Sequence, residues 1–492
     1  MKRNILSKNR LLSGAKKTLL SAGALLLLAS VVSCNKFLSK DPYNQVDDSK
    51  AIYNYSSAKY ALYGTYNSLQ SYMYYGRNQI VAGDVATENG IISPNNSNRF
   101  IAQAQWSVTA ATGDIRDFWS KAYEAINQSN KILEAVAGLD MTEAEKATIT
   151  AQALTLRALC HFDLVKYFAQ TYKDNGDKPG VPYMKHSVIY EKPARNTVQE
   201  VYTYVIKDLE DAITAYAKAS MPASDFEQPY YINVWAAKAI LARVYMTQLD
   251  YGKALPILQD IVEHSGYKPL DAEKYLTAWY GAHASLGKVE FIFSIRNTPD
   301  DYGATSALGY IYAQAGYGDI RVPEPFQALY TPNDIRRKVL FIQGTGTQTD
   351  WTFMNKYAGY SNTTGLCDVP VVRLSDVYLM YAEACAYTND KDNAIKYLDE
   401  IRLRADATAV ATPETISFDD LKAAIFLERR KELAYEGHYL FDLKRYQMDI
   451  NSGYRSNGTF YTTITYPSDK LAMPIPQSEI DANGNIKQNP GY

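Results

Sequence analysis

Along the chain, stretches in which apolar residues return every three or four positions alternate with stretches in which they do not. The helical period runs through Ala51–Tyr72. It returns in Asp117–Val136 with Thr142–Phe168, in Val198–Ala219 with Val234–His264, and in Arg373–Ala405, followed by a last helix over Phe418–Gly437 that Gly437 is placed to cap. Short loops join the members of each pair. Between these blocks, residues 73–116 and 265–370 are rich in Gly, Asn, Thr, Pro and Tyr, with strand-like pieces at Lys288–Ile295 and Arg337–Ile342. Long irregular segments inside a folded domain are either functional or disordered, and the aromatic content here argues against disorder. The pattern predicts a mainly α chain built of helix pairs within about 117–168, 198–264 and 373–437. An irregular lobe with short strands is expected over about 73–116 and 265–370.

Two of the helical blocks share more than period. Leu241–Ile261 and Tyr381–Ile401 superpose without a gap, matching Ala242 with Ala382, Ala254 with Ala394, Leu258 with Leu398 and Ile261 with Ile401. Small residues 12 apart followed by an apolar residue four later resemble the second half of a tetratricopeptide repeat. An alanine on each helix lets an antiparallel pair approach closely, while larger residues fill the outer gaps.

The N-terminus changes the picture from a plain helical array. Lys2, Arg3, Lys8, Arg10, Lys16 and Lys17 precede the apolar run Leu19–Val32, with no acid among the first 17 residues. The run is too short to span a bilayer, which takes ~20 apolar residues, but it suits a signal-peptide core. It ends in Val31–Cys34, "VVSC", which resembles a bacterial lipobox. The expectation is a signal peptide over 1–33 and an acylated Cys34. Two or more acyl chains would anchor the protein stably to a membrane. A polar tether over 34–50 leads into residues 51–492, long enough for one large unit or two. No later stretch has 18 consecutive apolar residues.

The net charge of −2 argues against a nucleic-acid partner. Cys160, Cys367 and Cys385 lack paired spacing and suit small buried hydrophobes rather than a disulfide framework. Tyrosine stands out at 42 residues against 15 Phe. It can stack on sugar rings at wet surfaces, but it also fills helix interfaces, and most of the 42 are expected to be packing.

Several segments together resemble the SusD/RagB family. They are "FWSKAYEAINQSNKIL" (Phe118–Leu133), "LRALCHFDLVKYFAQTY" (Leu156–Tyr172), "VPVVRLSDVYLMYAEA" (Val369–Ala384), "ERRKELAYEGHYLFDLKRY" (Glu428–Tyr446) and the closing "LAMPIPQSEIDANGNIKQNPGY" (Leu471–Tyr492). One departure is Tyr439, where the family often has Arg. The resemblance implies a SusD-like α-α superhelix of four tetratricopeptide-like helix pairs with an irregular glycan-binding lobe. It also implies an outer-membrane lipoprotein that binds oligosaccharide without cleaving it and passes it to a SusC-like TonB-dependent barrel. Some members of the family are associated with peptides instead.

The charged stretch Glu428–Tyr446 invites a catalytic reading around His438, but no nucleophile elbow or Cys-His signature accompanies it. Glu428–Lys431 and Arg429–Glu432 are helical i,i+3 pairs, and the charges are expected to knit the last helix to the preceding repeat. His161 and Asp163 stand two apart on a helix and make a poor chelate. Thr388–Ala394 lacks the glycine and the final Glu of a calcium loop and suits a turn between repeat helices. No cofactor is indicated, and structural calcium elsewhere stays open. No motif singles out a glycosidase carboxylate pair.

A sugar site needs aromatic faces beside amide, carboxylate or guanidinium groups on braced loops. Tyr72–Gly90 offers Tyr74, Tyr75, Arg77, Asn78 and Asp84, although Tyr74 and Tyr75 are adjacent and not expected to meet one ligand together. Arg296–Arg321 offers Asn297, Asp300, Asp301, Tyr302, Tyr310, Tyr312 and Tyr317, with Trp279 and Tyr280 just ahead. Tyr310 and Tyr312 share strand-like alternation, so the one face that carries both could be buried. Trp119 and Trp235 belong to helix-pair segments and are expected in the core; Trp106 and Trp351 are weaker candidates. Two other readings stay open: a tetratricopeptide adaptor that holds a peptide or protein on its concave helix surface, and, with least support, a surface glycosidase.

Overall fold

The computed structural model describes residues 51–188, 190–220, 228–454 and 460–492. The expected signal peptide, Cys34 and tether lie outside them. The helices used below are α1 (Tyr55–Gln70), α2 (Asn78–Val85), α3 (Gly113–Val136), α4 (Glu143–Phe168), α5 (Val198–Tyr216), α6 (Val234–Gln248), α7 (Tyr251–His264), α8 (Leu308–Tyr312), α9 (Leu374–Tyr387), α10 (Lys391–Ala405), α11 (Phe418–Glu432) and α12 (Tyr439–Arg445). The longer helices stack in series: α1 on α3, α3 on α4, α4 on α5, α5 on α6, α6 on α7, α7 on α9, and α9 on both α10 and α11.

Local chemistry sets where these helices begin. Asn54, Thr142 and Thr197 each accept the backbone N–H three residues on, while Ser57, Glu145 and Glu200 reach back to the cap's own N–H. α3 buries one stripe that includes Phe118, Trp119, Ala122, Ala125 and Ile126, as an amphipathic surface helix should. α4 is buried on nearly every side from Ala147 to Phe168, because α3 and α5 cover it from two directions.

The internal repeat is a structural one. α6–α7 and α9–α10 form matching hairpins in which Ala242, Ala254, Leu258 and Ile261, and their counterparts Ala382, Ala394, Leu398 and Ile401, are fully buried. The turns match too. Leu249 and Asn389 both adopt positive φ, and Asp250 and Asp390 both cap the following helix. Thr388–Asp390 is therefore the inter-helix turn, and Lys391–Ala394 opens α10. Trp119 is core as expected, whereas Trp235 is only half-buried, with Lys238 over its ring at 4.7 Å.

The remaining segments carry short strands. β1 (Ile91–Ile92), β3 (Ile320–Arg321), β5 (Thr352–Met354) and β4 (Phe341–Gln343) form one antiparallel sheet in that order. β2 (Phe291–Ile295) pairs antiparallel with β6 (Val369–Arg373), wholly buried, and β7 (Ile450–Tyr454) pairs with β8 (Phe460–Ile464). Two strand-like expectations change. Arg336–Leu340 is a helical turn that leads into β4, because Arg336 is drawn into an ion cluster, and Tyr310 and Tyr312 belong to α8.

The last long helix also ends earlier than its pattern suggests, at Glu432 rather than Gly437. Tyr435 and Gly437 take φ of 61° and 75°, and the chain turns so that Glu432 and Glu436 point into the interior. Gly437 is needed there for a further reason, since a Cβ would lie 3.2 Å from the Ile80 Cα of α2.

Inside that turn sits a buried ion cluster. Arg373, at the end of β6, meets Glu436 at 2.7 and 2.8 Å, Glu290 at 2.5 Å and Glu432 at 3.1 Å. Arg336 meets Asp334 at 2.7 and 2.9 Å, Glu428 at 2.6 Å and Glu432 at 3.1 Å. Arg404 adds a 2.7 Å bond to Glu432, and Lys356 a 2.5 Å bond to Glu436. Burial pushes the Glu432 carboxyl up, but Arg404, Arg373 and Arg336 outweigh it and hold it below the usual carboxylate range. A second cluster joins Arg243, Arg429 and Arg445 to Asp376, Glu383 and Asp442. The expected Arg429–Glu432 pair is thus replaced by long-range partners, while Lys431–Glu428 forms at 3.5 Å.

Removing one member of such a cluster leaves carboxylates charged and desolvated. Arg373→Met is expected to lower unfolding free energy by about 3–5 kcal/mol in urea denaturation. A loss below about 1 kcal/mol would mean the cluster contributes no more than an exposed ion pair.

Candidate functional site

The structure sorts the sequence candidates into struts and surface. Tyr74 and Tyr75 are struts: both are buried, and both hydroxyls donate to the same Asp163 carboxylate oxygen, at 2.8 and 2.7 Å, while Lys166 meets its other oxygen at 2.9 Å. They do converge on one partner, but it is an interior carboxylate rather than a ligand. Asn78 is buried and accepts from Arg77 Nε at 2.9 Å. Asp84 is buried beneath Tyr312, whose hydroxyl donates to it at 3.1 Å. Trp279 is enclosed between Lys356 (4.2 Å) and Arg373 (5.3 Å). Tyr280 accepts from Asn355 at 2.9 Å, and buried Asn297 donates to the Asp368 carboxylate and the Cys367 carbonyl. Trp106 is buried as well, donating to the Ala86 carbonyl.

The two helix histidines weighed for chemistry are committed or shielded. His161 Nδ1 lies 2.9 Å from the Arg157 carbonyl, its Nε2 accepts from Met184 N–H, and burial pushes it down to about 3. His438 is pushed down to about 4, mainly by burial. Among the described residues no group of three or more His, Cys, Asp and Glu could hold a metal ion. The three described cysteines are free and buried, as expected of small hydrophobes.

Tyr310 and Tyr317 remain half-exposed, and the chain brings them together with a residue the sequence reading missed. After α8 the backbone folds back, Tyr317 N–H donating to the Tyr310 carbonyl at 2.8 Å. Gly316 permits the return, because a Cβ there would lie 2.3 Å from that carbonyl oxygen. The two rings meet edge to face at 5.2 Å. Over Tyr317, at 4.3 Å, lies the guanidinium of Arg99, which donates to Ser97 at 2.6 Å. The loop carrying Arg99 is pinned by buried Asp319, which accepts from Ser97 N–H (2.7 Å) and Ser97 Oγ (2.5 Å), and by β1–β3 pairing. Phe100 continues the patch to Arg77, whose guanidinium lies 5.6 Å from the Phe100 ring and 4.6 Å from Tyr72. Burial lowers the Arg77 pKa, partly offset by Asp114 at 4.0 Å. At the end of β3, Arg321 stacks on half-buried Trp351 at 4.3 Å.

The result is a patch of two half-exposed rings and one guanidinium, Tyr310, Tyr317 and Arg99, whose loop is braced from beneath by Asp319; Tyr72 over Arg77 and Trp351 over Arg321 are further half-exposed rings. Such a face can stack on the C–H patches of sugar rings and donate to their hydroxyls. Arg99 and Tyr72 were missed because an Asn-rich loop and a helix end carry no periodic signal. Tyr302 is half-buried, and Asp301 is exposed on the rim of a separate cleft.

Asp84 gives a prediction that separates its interior role from ligand contact. Burial is the largest influence on it and raises it to about 8, against the lowering effect of the Tyr312 hydrogen bond. The folded state therefore holds a proton there that the unfolded state loses near pH 4, and stability falls as pH rises from about 4 to about 8. Asp84→Asn should flatten that decline in thermal unfolding at successive pH values and leave ligand binding alone. An unchanged pH slope would show that Asp84 is ionised in the native state.

Comparison with known proteins agrees with this architecture. Residues 344–492 match the family model described as SusD family, and residues 36–246 match the model described as starch-binding, associating with outer membrane. SusD-like protein P25 of Formosa agariphila is 25% identical over 93% of this chain and 95% of its own. A crystal structure from Bacteroides vulgatus covers 90% of this chain and 100% of its own, at 32% identity and a TM-score of 0.81. A SusD superfamily protein of Bacteroides thetaiotaomicron covers 89% and 100% at 26% identity, with a TM-score of 0.79. With two models spanning both ends and relatives spanning nearly the whole length, the chain belongs to the SusD/RagB family.

Proposed function

We propose that this protein is a non-catalytic, cell-surface glycan-binding lipoprotein that captures oligosaccharide on its Tyr310–Tyr317–Arg99 face and delivers it to a SusC-like TonB-dependent barrel. The observation that carries the reading is that face: two rings at an edge angle with a guanidinium on one of them, in a chain of this family. The starch-binding description of the model over residues 36–246 supports a glycan as the ligand class. The lipobox-like Val31–Cys34 supports anchoring through an acylated Cys34. No helix of the described residues is long and apolar enough to cross a membrane. Affinity is expected to be modest, because desolvating sugar hydroxyls offsets much of the stacking energy.

Retardation in gels containing starch or other polysaccharides, together with a reducing-end assay, tests the reading. The protein should be retarded by at least one polysaccharide and release no new reducing ends. Arg99→Ala and Tyr317→Ala should each weaken that binding roughly tenfold without lowering the unfolding temperature, and Cys34→Ala should move the protein out of the membrane fraction. Binding untouched by both face variants, or glycan cleavage abolished by one carboxylate substitution, would overturn it.

A further inference from the structure

A cleft of about 450 Å³ opens between the end of α4, the loop through Asn175 and Pro179, the chain after β8 and the C-terminal segment. Its volume falls within the ~300–1,000 Å³ usual for small-ligand sites, and it shares no lining residue with the Tyr310–Tyr317–Arg99 patch. Side-chain bonds hold its walls together. Gln170 Nε2 donates to the Ser468 and Asp469 carbonyls at 3.1 and 3.3 Å, which ties the end of α4 to the chain after β8. Asn489, only 5% exposed, donates to the Phe168 and Met473 carbonyls at 2.9 and 2.6 Å, and Asn175 donates to the Lys173 carbonyl at 2.9 Å.

The aromatic side chain of the lining is Tyr466. Its hydroxyl accepts from Gln447 Nε2 at 2.7 Å and its backbone N–H donates to Asp449 at 2.9 Å, so the residue is held at both ends. The ring is half-exposed, and among the described residues no other ring or cation lies against it. Pro179, Pro467 and Pro490 add rigid apolar surface around it.

The lining amides commit their N–H groups to backbone carbonyls and keep their oxygens. Among the described residues nothing donates to Gln170 Oε1, Asn175 Oδ1 or Asn489 Oδ1, or to the Asp469 carboxylate. A ligand that satisfies such a lining brings several separate hydrogen-bond donors. The charged residues of the lining are Lys178 and Asp469, and Lys178 also meets Asp177 at 3.5 Å, so no cation is in surplus to draw an anion.

We propose that this cleft is a second sugar-binding site, independent of the Tyr310–Tyr317 face, that takes a neutral pyranose unit with its ring on Tyr466 and its hydroxyls donating to the amide oxygens and to Asp469. Acceptors spread over separate chain segments suit the spaced hydroxyls of a sugar, whereas an ammonium gathers its donors at one point. An open ring beside them supplies the stacking face. Uronic and sulfated units are disfavoured, because their anionic groups would face Asp469 and the amide oxygens.

Calorimetric titration of the full chain with methyl glycosides of glucose, galactose, mannose and xylose, alongside methyl glucuronide, a sulfated glucoside and propylamine, tests this. At least one neutral glycoside should bind. Tyr466→Ala should weaken it about tenfold and Tyr466→Phe should keep the affinity. Asp469→Asn, a change at an exposed residue, should weaken binding without lowering the unfolding temperature. Tyr317→Ala should leave it unchanged, which separates this cleft from the other face. Binding of none of the neutral glycosides, binding only of the charged probes, loss of binding in Tyr317→Ala, or affinity unmoved by both Tyr466→Ala and Asp469→Asn would overturn it.

Discussion

Glu432 is bonded directly by Arg336, Arg373 and Arg404 at once. Around it, Arg336, Arg373, Arg404, Lys356 and Lys431 face Asp334, Glu290, Glu428, Glu432 and Glu436, so the cluster is neutral as a whole. Desolvating these charges is expensive, and a well-packed apolar core could match their net stability. What an apolar core would not supply is direction. Each arginine fits one geometry of carboxylates, and those carboxylates come from the residue just before β2, from α11 and the turn after it, and from the segment before β4. The cluster therefore fixes how the helical stack meets the strand-bearing segments, and every loop above depends on that junction.

The same logic runs through the interior polar groups. Asp163 gathers Tyr74, Tyr75 and Lys166; Asp319 gathers the loop with Ser97; Asp368 accepts from Tyr230, His283 and Asn297. Each is a buried carboxylate that pins an irregular segment whose backbone has few ladder bonds of its own. Irregular chain needs such pins, because unpaired buried polar groups are costly. Tyrosine is abundant here partly for this reason: its hydroxyl reaches a carboxylate while its ring fills volume.

That double use also marks how far the sequence could be read. The hairpins were legible because their alanines recur at a fixed offset and close packing leaves a strict spacing, down to the matching positive-φ residues Leu249 and Asn389. The knitting role of Glu428–Tyr446 was legible in kind but not in partner: Arg429 meets Asp376 and Asp442, which no i,i+3 rule can point to. Among the site candidates, Tyr310 and Tyr317 are half-exposed, whereas Tyr74, Tyr75, Asp84 and Trp279 are buried. A tyrosine that stacks on sugar and one that bonds a buried carboxylate look alike in a loop, and the difference is made by residues nearly 90 positions away.

In the proposed function, a rigid helical frame, bolted by buried ion pairs, presents rings and a guanidinium group to hold sugar without chemistry. Hydrogen exchange of the protein with and without a polysaccharide that retards it measures this most directly. The account predicts slowed exchange in residues 93–100 and 310–318, with the amides of α6, α7, α9 and α10 unchanged. Slowed exchange along those helices, with both loops unaffected, would contradict it and place recognition on the helical repeat.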